Sequence, residues 1–222
     1  MSGSLEPIET AAAETGRPAM AWHARVADGT ADLPETGPLA AVAFDGPLGW
    51  MMIEADGLGL RALRWGQDVA DERGLPPMES SWAPLLVEAR DQVRAYFEGR
   101  LRRFTLPLAP QGTRFQRTVW GFINEIPHGA TLRYGELAEL VGSAPRAVAR
   151  ACGANPLPLI IPCHRVVGAM SDLGGYSAPG GPMTKRFLLR LEGALDGPPP
   201  RSAPAAAAPR PGGDVRQTAF EF

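Results

Sequence analysis

The sequence predicts an α+β fold in which a small N-terminal antiparallel sheet with one helix precedes a mainly helical region. Residues 39–66 contain three short runs of strand-forming residues, separated by Asp-Gly turn signals. After residue 111, apolar residues recur at helical spacing in short segments that Gly and Pro interrupt. The chain has 222 residues and is 45% hydrophobic, which is enough to build a substantial core.

The first part of the fold is predicted from alternation and helical periodicity. Strands are expected over 39–44, 48–54 and 58–65. A helix is expected over 81–98, because apolar residues recur three and four positions apart and Gly99 ends the segment. One amphipathic helix would then cover one face of the sheet.

The second part is predicted to contain a helix-turn-helix. Helices are expected over 115–125, 134–141 and 146–154. Gly142 breaks the chain between the last two helices, and Ser143 is the expected N-terminal cap of the third. A short helix, a glycine turn and a second helix form the helix-turn-helix pattern, which also arises by chance.

Composition divides the chain into four segments. We expect a small α/β domain over 39–111 and a second domain over 112–195. Residues 1–38 are rich in Ala, Glu, Gly, Thr and Pro, and residues 196–222 are rich in Ala and Pro. Both terminal segments are expected to be disordered, because the first has no sustained periodicity and the second consists largely of Pro and Ala-Pro repeats.

Charge is distributed unevenly along the chain. The net charge is -2 overall, but residues 1–111 hold 10 basic and 16 acidic residues, whereas residues 112–194 hold 9 basic and 5 acidic residues. The positive second part is suited to a polyanionic partner. Ordinary solvated charge explains the same counts equally well.

Cysteine usage and the absence of apolar runs indicate the compartment. The two cysteines, Cys152 and Cys163, are too few for a disulfide scaffold or a four-cysteine zinc site. No apolar run approaches the roughly 20 residues that cross a bilayer, and the N-terminus is acidic where a secretory signal would be basic. We therefore expect a cytoplasmic protein without a membrane partner.

Cys163 is the candidate nucleophile. It follows the apolar run 157–162, whose two prolines exclude a regular central strand or helix and stiffen the segment. A nucleophilic thiol needs a base, and the base needs an orienting acid; His164 and Glu192 are candidates for these roles. Adjacent side chains cooperate only if the chain turns or water bridges them, and we favour the water bridge. A Cys–His pair by itself is more often structural.

The predicted helix 146–154 has small side chains except at Arg146, Val148 and Arg150. A DNA minor groove is about 6 Å wide, so a helix that contacts it needs little bulk on the contact face. Close packing inside the protein would also favour small residues, and both explanations stay open. The two arginines favour nucleic acid.

Several motifs follow one another in the second part of the chain. They include Gly-Thr-x-Phe-Gln-x-x-Val-Trp at 112–120, Tyr-Gly-Glu-Leu-Ala at 134–138, Arg-Ala-Val at 146–148, Gly-Ala-Asn-Pro at 153–156 and Pro-Cys-His-Arg-Val at 162–166. Their order and spacing resemble those of the O6-alkylguanine-DNA alkyltransferases, also called methylated-DNA-protein-cysteine methyltransferases. The resemblance is specific over 112–194 and weaker over 39–111, where Tyr-Phe-x-Gly at 96–99 fits the N-terminal domain of the family.

The resemblance implies direct, single-use DNA repair. The expected partner is double-stranded DNA carrying O6-alkylguanine, with O4-alkylthymine as a second expected substrate. The protein would bind the minor groove, rotate the damaged nucleotide out of the stack and take the alkyl group onto Cys163. Rotation is needed because O6 is paired and stacked inside a duplex. We expect no cofactor, no metal and a monomer.

The resemblance also implies roles for individual residues. The implied catalytic residues are Cys163, His164, Glu192, Asn155 and Tyr134. The implied DNA-binding residues are Tyr134, Arg146, Ala147, Arg150 and Ala151, among which Arg146 fills the space that the rotated nucleotide leaves. The implied substrate pocket residues are Val166, Tyr176 and Ser177.

Two other functions are kept as alternatives. A damage sensor of the same ancestry would bind the lesion without transferring it, although relatives of that type replace the cysteine. A cysteine hydrolase built on Cys163, His164 and Glu192 would turn over an ester without DNA. The sequence offers no glycine-rich oxyanion loop for such a hydrolase.

Overall fold

A computed structural model of the chain describes residues 39–66, Val69, 83–168 and 173–195. The segments predicted to be disordered, 1–38 and 196–222, lie outside the described residues, as do the first two residues of the helix predicted over 81–98. Within the described residues the molecule has the predicted α+β fold, with a three-stranded sheet first and most of the helices after it.

The sheet consists of β1 (Ala40–Gly46), β2 (Gly49–Asp56) and β3 (Gly59–Trp65). The strands are antiparallel in the order β1-β2-β3, joined by the two predicted turns. All three predicted strands are confirmed, with ends that differ by one or two residues. The sheet is covered by α1 (Ala83–Phe97), which packs on β1 and β2 through its buried face.

The second part begins with α2 (Arg114–Asn124), followed by β4 (Leu132–Arg133), α3 (Tyr134–Leu140), α4 (Pro145–Gly153), a 3-10 turn (Cys163–Arg165), β5 (Val166–Val167) and α5 (Gly181–Leu191). A capping box starts α2, in which the Thr113 side chain accepts from the Gln116 backbone and the Gln116 side chain accepts from the Thr113 backbone. Gly112 lies against Trp120, and an added Cβ would be 2.5 Å from the indole ring. This contact explains the glycine in the first motif.

The helix-turn-helix is formed by α3, a turn over 141–144 and α4. Gly142 has φ +62°, a left-handed conformation that ends α3 as its position predicted. The prediction that Ser143 caps α4 is wrong. The cap is Ala144, which offers no side-chain acceptor, because the helix begins at Pro145, and the backbone N–H of Ser143 donates to the Ala138 carbonyl in the turn after α3.

Two further contacts hold the elements of the second part together. The indole Nε1 of Trp120 on α2 donates to the Ala151 carbonyl at 2.8 Å, which ties the two helices together. The parallel pair β4 and β5 aligns Leu132 with Val166, so the 3-10 turn lies close to the start of α3. Among the helices in the described ranges, none combines the length and apolar character needed to cross a membrane.

Candidate active site

The segment before Cys163 is held by its own backbone and by one amide side chain. Asn155 donates from Nδ2 to the Ile161 carbonyl at 2.8 Å and accepts the Leu157 N–H at 3.0 Å. Leu159 has φ +79°, a conformation that is costly for a residue with a Cβ. These contacts of Asn155 brace the segment, which therefore has little freedom to move.

The chain turns at the nucleophile candidate. Cys163, His164 and Arg165 form the 3-10 turn and are all buried, with exposures of 4%, 0% and 6%. The turn is the first of the two arrangements that allow the thiol and the imidazole to cooperate. His164 Nδ1 has no hydrogen-bond partner among the described residues, so no direct hydrogen bond joins it to the Cys163 thiol.

Glu192 lies at the C-terminal cap of α5 and faces His164. The distance from His164 Nε2 to Glu192 Oε1 is 2.9 Å, and both side chains are buried. The structure thus brings together His164 and Glu192, which are 28 residues apart in sequence. The carboxylate is positioned to orient the imidazole, as a base in nucleophilic catalysis requires.

Two more side chains contact the same carboxylate. Arg165 donates from Nε to Oε2 and from Nη2 to Oε1, both at 2.9 Å, and Tyr96 donates its hydroxyl to Oε1 at 2.7 Å. Burial acts to raise the pKa of Glu192, but the hydrogen bonds and charges of His164 and Arg165 outweigh it and hold the pKa far below its usual range. Glu192 is therefore ionised.

The ionised carboxylate decides the tautomer of His164. A carboxylate only accepts hydrogen bonds, so Nε2 must carry the proton that points at Glu192. Burial lowers the pKa of His164 despite the opposing effect of Glu192, so the imidazole is neutral at neutral pH. The basic nitrogen is then Nδ1, which is free to accept a proton.

The thiol of Cys163 is protonated at rest. Burial raises its pKa, while a hydrogen bond from Asn155 and the charge of Lys185 act in the opposite direction. Lys185 is fully buried and donates from Nζ to the Val166 carbonyl at 2.6 Å and to the Gly175 carbonyl at 3.3 Å. The site therefore holds a thiol together with a neutral base, rather than a stored thiolate.

A cavity of about 380 Å³ opens onto the thiol. Of the residues implied for the substrate pocket, Tyr176 and Ser177 lie in its lining and Val166 is buried outside the lining; Tyr134 also lines the cavity. The full lining is Tyr134, Ala149, Cys152, Gly153, Cys163, Gly175, Tyr176 and Ser177. The hydroxyl of Tyr176 is buried without a hydrogen-bond partner in the described part of the chain, and burial raises its pKa well above the usual value. Tyr176 therefore remains a donor.

The two faces of α4 serve different purposes. Val148, Ala151 and Cys152 are buried, whereas Arg146, Ala149, Arg150 and Gly153 are exposed and Ala147 is half-buried. The expected DNA contact from Ala151 is a wrong prediction, because its side chain is only 2% exposed and packs in the core. The small residues of the buried face fit close packing inside the protein. The outward small residues, Ala149 and Gly153, fit a helix that contacts a minor groove.

Several site residues received no role in the sequence analysis. Tyr96, Arg165 and Lys185 contact the site from segments far apart, and Cys152 shares the cavity with Cys163. Arg165 is followed by the apolar pair Val166–Val167, which is a signal for a buried charge that needs a partner, whereas Lys185 lies between Thr184 and Arg186 and carries no such signal. No group of three metal-ligating side chains is present in the described ranges, and the absence of metal and cofactor stays a prediction.

The fold and the site define a class of protein in which a buried cysteine and a His–Glu pair lie next to a helix-turn-helix. Residues 114–194 match the DNA-binding domain of 6-O-methylguanine DNA methyltransferase, and residues 43–110 match its ribonuclease-like domain. The methylated-DNA–protein-cysteine methyltransferase of Methanosarcina acetivorans is 40% identical over 158 residues, which cover 68% of this chain and 96% of that relative. The corresponding Mycobacterium bovis protein is 40% identical over 154 residues, covering 67% and 89%.

Solved structures agree with these matches. A crystal structure of Mycobacterium tuberculosis OGT in complex with DNA superposes with a TM-score of 0.61 at 38% identity, covering 70% of this chain and 93% of that one. A Methanococcus jannaschii O6-methylguanine DNA methyltransferase gives a TM-score of 0.53 at 27% identity, covering 70% and 95%. The chain belongs to the 6-O-methylguanine DNA methyltransferase family.

Proposed function

We propose that this protein repairs DNA directly, by transferring an alkyl group from O6 of guanine to the sulfur of Cys163. One observation carries the proposal: Cys163 opens onto a base-sized cavity beside α4, while the neighbouring His164 is oriented by Glu192. The relatives named above are methyltransferases that act on methylated DNA and a protein cysteine. Guanine alkylated at O6 is the substrate, and O4-alkylthymine is accepted by the same pocket.

The damaged nucleotide must leave the duplex to reach the thiol. Cys163 is 4% exposed, and an O6 atom inside a base-paired stack cannot approach it. The exposed arginines of α4, Arg146 and Arg150, face outward next to the cavity lining of the same helix. Arg146 fills the vacated space in the duplex, and Arg150 binds backbone phosphate. The small side chains of Ala147 and Ala149 let the helix enter the minor groove.

Within the cavity, the rotated base lies between Tyr134 and Tyr176. Tyr134 hydrogen-bonds the base and assists rotation, and the Tyr176 hydroxyl is a donor that the base can engage. Backbone groups near Val166 and Ser177 read the guanine edge, with Lys185 holding the Val166 and Gly175 carbonyls in place. Displacement requires the alkyl carbon to lie in line with Sγ, and we expect these contacts to hold it there.

The transfer step is a nucleophilic displacement. The thiol proton of Cys163 passes through a water molecule to Nδ1 of His164, whose positive charge Glu192 then stabilises. The Sγ–carbon bond forms as the carbon–O6 bond breaks, and the electron pair of that bond stays with guanine. Guanine takes up one proton, which balances the proton that the thiol lost. The thioether has no route back to a thiol, so each molecule acts once.

The working state follows from the same considerations. We expect the protein to act as a monomer, because one chain supplies the thiol, the base, the acid and the proposed DNA-binding helix. We place it in the cytoplasm, whose reducing conditions keep Cys152 and Cys163 as free thiols.

The test is a titration of duplex DNA containing one O6-methylguanine with purified protein. We expect one methyl group to be removed per protein molecule, with no further turnover. Lesion-dependent binding without any loss of the methyl group would instead identify a damage sensor. Turnover of a labelled ester in the absence of DNA would identify a cysteine hydrolase and would overturn the proposal.

A further inference from the structure

The N-terminal region contributes one polar group to the buried His164–Glu192 pair. Tyr96 lies in the last turn of α1 and is 1% exposed. Its hydroxyl donates to Oε1 of Glu192 at 2.7 Å, across 96 residues of sequence. This is the same oxygen that accepts from Nε2 of His164 at 2.9 Å. The hydroxyl therefore contacts the atom that orients the imidazole.

The position of the Tyr96 ring is fixed by its aromatic neighbours. Ring centroids lie 5.3 Å from Phe97, 5.5 Å from Phe104 and 6.2 Å from His128. Burial, followed by the charge of Glu192, raises the pKa of Tyr96 well above its usual value, so the hydroxyl stays protonated. A rigid ring with a permanent donor can hold a carboxylate in one orientation.

Arg165 is not the only donor to Glu192 besides His164. Its Nε and Nη2 contact both carboxylate oxygens, and the Gly129 N–H donates to Oε2 at 3.4 Å. Tyr96 approaches from a different element, α1, and adds a second direction of attachment to Oε1. The hydroxyl thus shares the fixing of Oε1 with Arg165 and holds this oxygen from a separate part of the chain, whereas the Gly129 N–H contacts Oε2.

We infer that Tyr96 is a positioning residue for alkyl transfer, which fixes the carboxylate of Glu192 and through it the imidazole of His164. The inference rests on the proposed function, because it assigns Tyr96 a part in activating Cys163. It also gives the N-terminal region a part in the chemistry, although the cavity lining comes entirely from the second part of the chain. Tyr96 itself does not touch the cavity.

A positioning role for Tyr96 predicts that the effect of its removal on the transfer rate depends on pH. If Tyr96 acts through His164, the Tyr96→Phe substitution should slow transfer most at the pH values where the Cys163 thiol depends on His164 for deprotonation. As the pH approaches the raised pKa of Cys163, hydroxide removes a growing share of the thiol protons and transfer depends less on His164. The other ionisable groups that face the pair or the thiol are Arg165, Lys185, His128, Tyr176 and Cys152. All of them remain unchanged in a Tyr96→Phe variant.

The experiment measures the second-order rate constant of methyl transfer from duplex O6-methylguanine as a function of pH. For Tyr96→Phe we expect a rate about tenfold lower near neutral pH, the scale of a lost hydrogen bond to a charged group. The deficit should narrow as pH rises, while affinity for the duplex stays the same. The matched control is Thr105→Val. It removes a hydroxyl that accepts a hydrogen bond from Gln92 of α1, the helix that also carries Tyr96, and this hydroxyl does not contact Glu192. Its rate should equal that of the wild type.

A deficit that is constant with pH, or one that Thr105→Val shares, would show a merely structural role and overturn the inference. A second measurement is the double variant Tyr96→Phe, Glu192→Gln. We expect it to be no slower than Glu192→Gln alone, because both changes act on one contact; additive losses would contradict the inference. Wild-type protein is measured in parallel. If the wild type transfers no methyl group, the proposed function is wrong; if only the behaviour of Tyr96→Phe differs from the expectation, the positioning role alone is wrong.

Discussion

Arg165 and Glu192 form a bidentate ion pair inside the protein, with Nε 2.9 Å from Oε2 and Nη2 2.9 Å from Oε1. Nη1 of the same guanidinium donates to the Ile126 carbonyl at 2.5 Å. The arginine next to His164 thus keeps Glu192 ionised and ties the 3-10 turn to the segment after α2. The carboxylate proposed to orient His164 is thus also a structural centre of the molecule.

Replacing Arg165 should destabilise the protein strongly. In Arg165→Met the charge of Glu192 stays buried without its main partner, and we expect a loss of about 3 kcal/mol in the free energy of unfolding. Urea denaturation measures this change. The control is Arg103→Met, because Arg103 and Glu125 form an exposed pair 3.4 Å apart, whose loss should cost less than about 1 kcal/mol. Equal effects from the two variants would contradict the structural role of Arg165.

Stability should fall as the pH is lowered. His164 has a pKa below its ordinary value of 6.5, and Glu192 has a pKa below 4.5. For both groups the unfolded state takes up protons at a higher pH than the folded state, so stability is complete above these values and decreases below them. We expect the free energy of unfolding to decline below about pH 6.5 through His164, and further below about pH 4.5 through Glu192.

Urea denaturation across this pH range provides the measurement. A Glu192→Gln variant should lose the lower part of the dependence, because glutamine does not titrate. A free energy of unfolding that is constant from neutral pH to about pH 4 would show that neither group is held in the state described.

Arg146 should act on nucleotide rotation rather than on the thiol. We expect Arg146→Ala to slow transfer from duplex DNA about tenfold, because the vacated space is then unfilled and unstacking costs a few kcal/mol. Transfer from a single strand with the same lesion should change little, since an unpaired base needs no rotation out of a duplex. Comparing the two rates under saturating protein is the measurement, and the control is Arg64→Ala, an exposed arginine of the sheet whose loss should affect neither rate. Equal slowing on both substrates would remove Arg146 from this role.

DNA affinity should depend steeply on salt. Lysine and arginine contacts to phosphate release counterions, so the logarithm of the association constant falls linearly with the logarithm of salt concentration. Arg150→Ala should lower the magnitude of that slope by about one, whereas Arg64→Ala on the sheet should leave it unchanged. Fluorescence anisotropy with a labelled duplex gives the slopes. A flat salt response in the wild type would argue against the proposed surface on α4.

Local signals were sufficient to predict most of the fold. Turn residues and alternation predicted the strands, and Gly142 marked the break in the helix-turn-helix because only a residue without Cβ takes its φ of +62° easily. Cys163 was identifiable because two prolines set it apart from regular structure. These features depend on residues that are close together in the chain.

The errors and omissions concern which side of an element faces inward and what lies across from it. The resemblance implies a DNA contact for Ala151, but a motif does not give the rotation of a helix, and the spacing of Val148, Ala151 and Cys152 matches one buried face. Tyr96 and Glu192 are 96 residues apart, and no sequence spacing relates a hydroxyl on α1 to a carboxylate after α5. Such contacts follow only from tertiary packing.

The central claim is that the alkyl group ends on one sulfur, although Cys152 and Cys163 line the same cavity. Burial raises the pKa of Cys152 to about 12. The imidazole of His164 and the thiol of Cys152 do not perturb each other's pKa. The most direct measurement is peptide mapping by mass spectrometry after reaction with duplex O6-methylguanine, with Cys152→Ala and Cys163→Ala in parallel. We predict a single methyl group on the peptide containing Cys163, retained in Cys152→Ala and lost in Cys163→Ala. A methyl group on Cys152, or transfer by Cys163→Ala, would contradict the account.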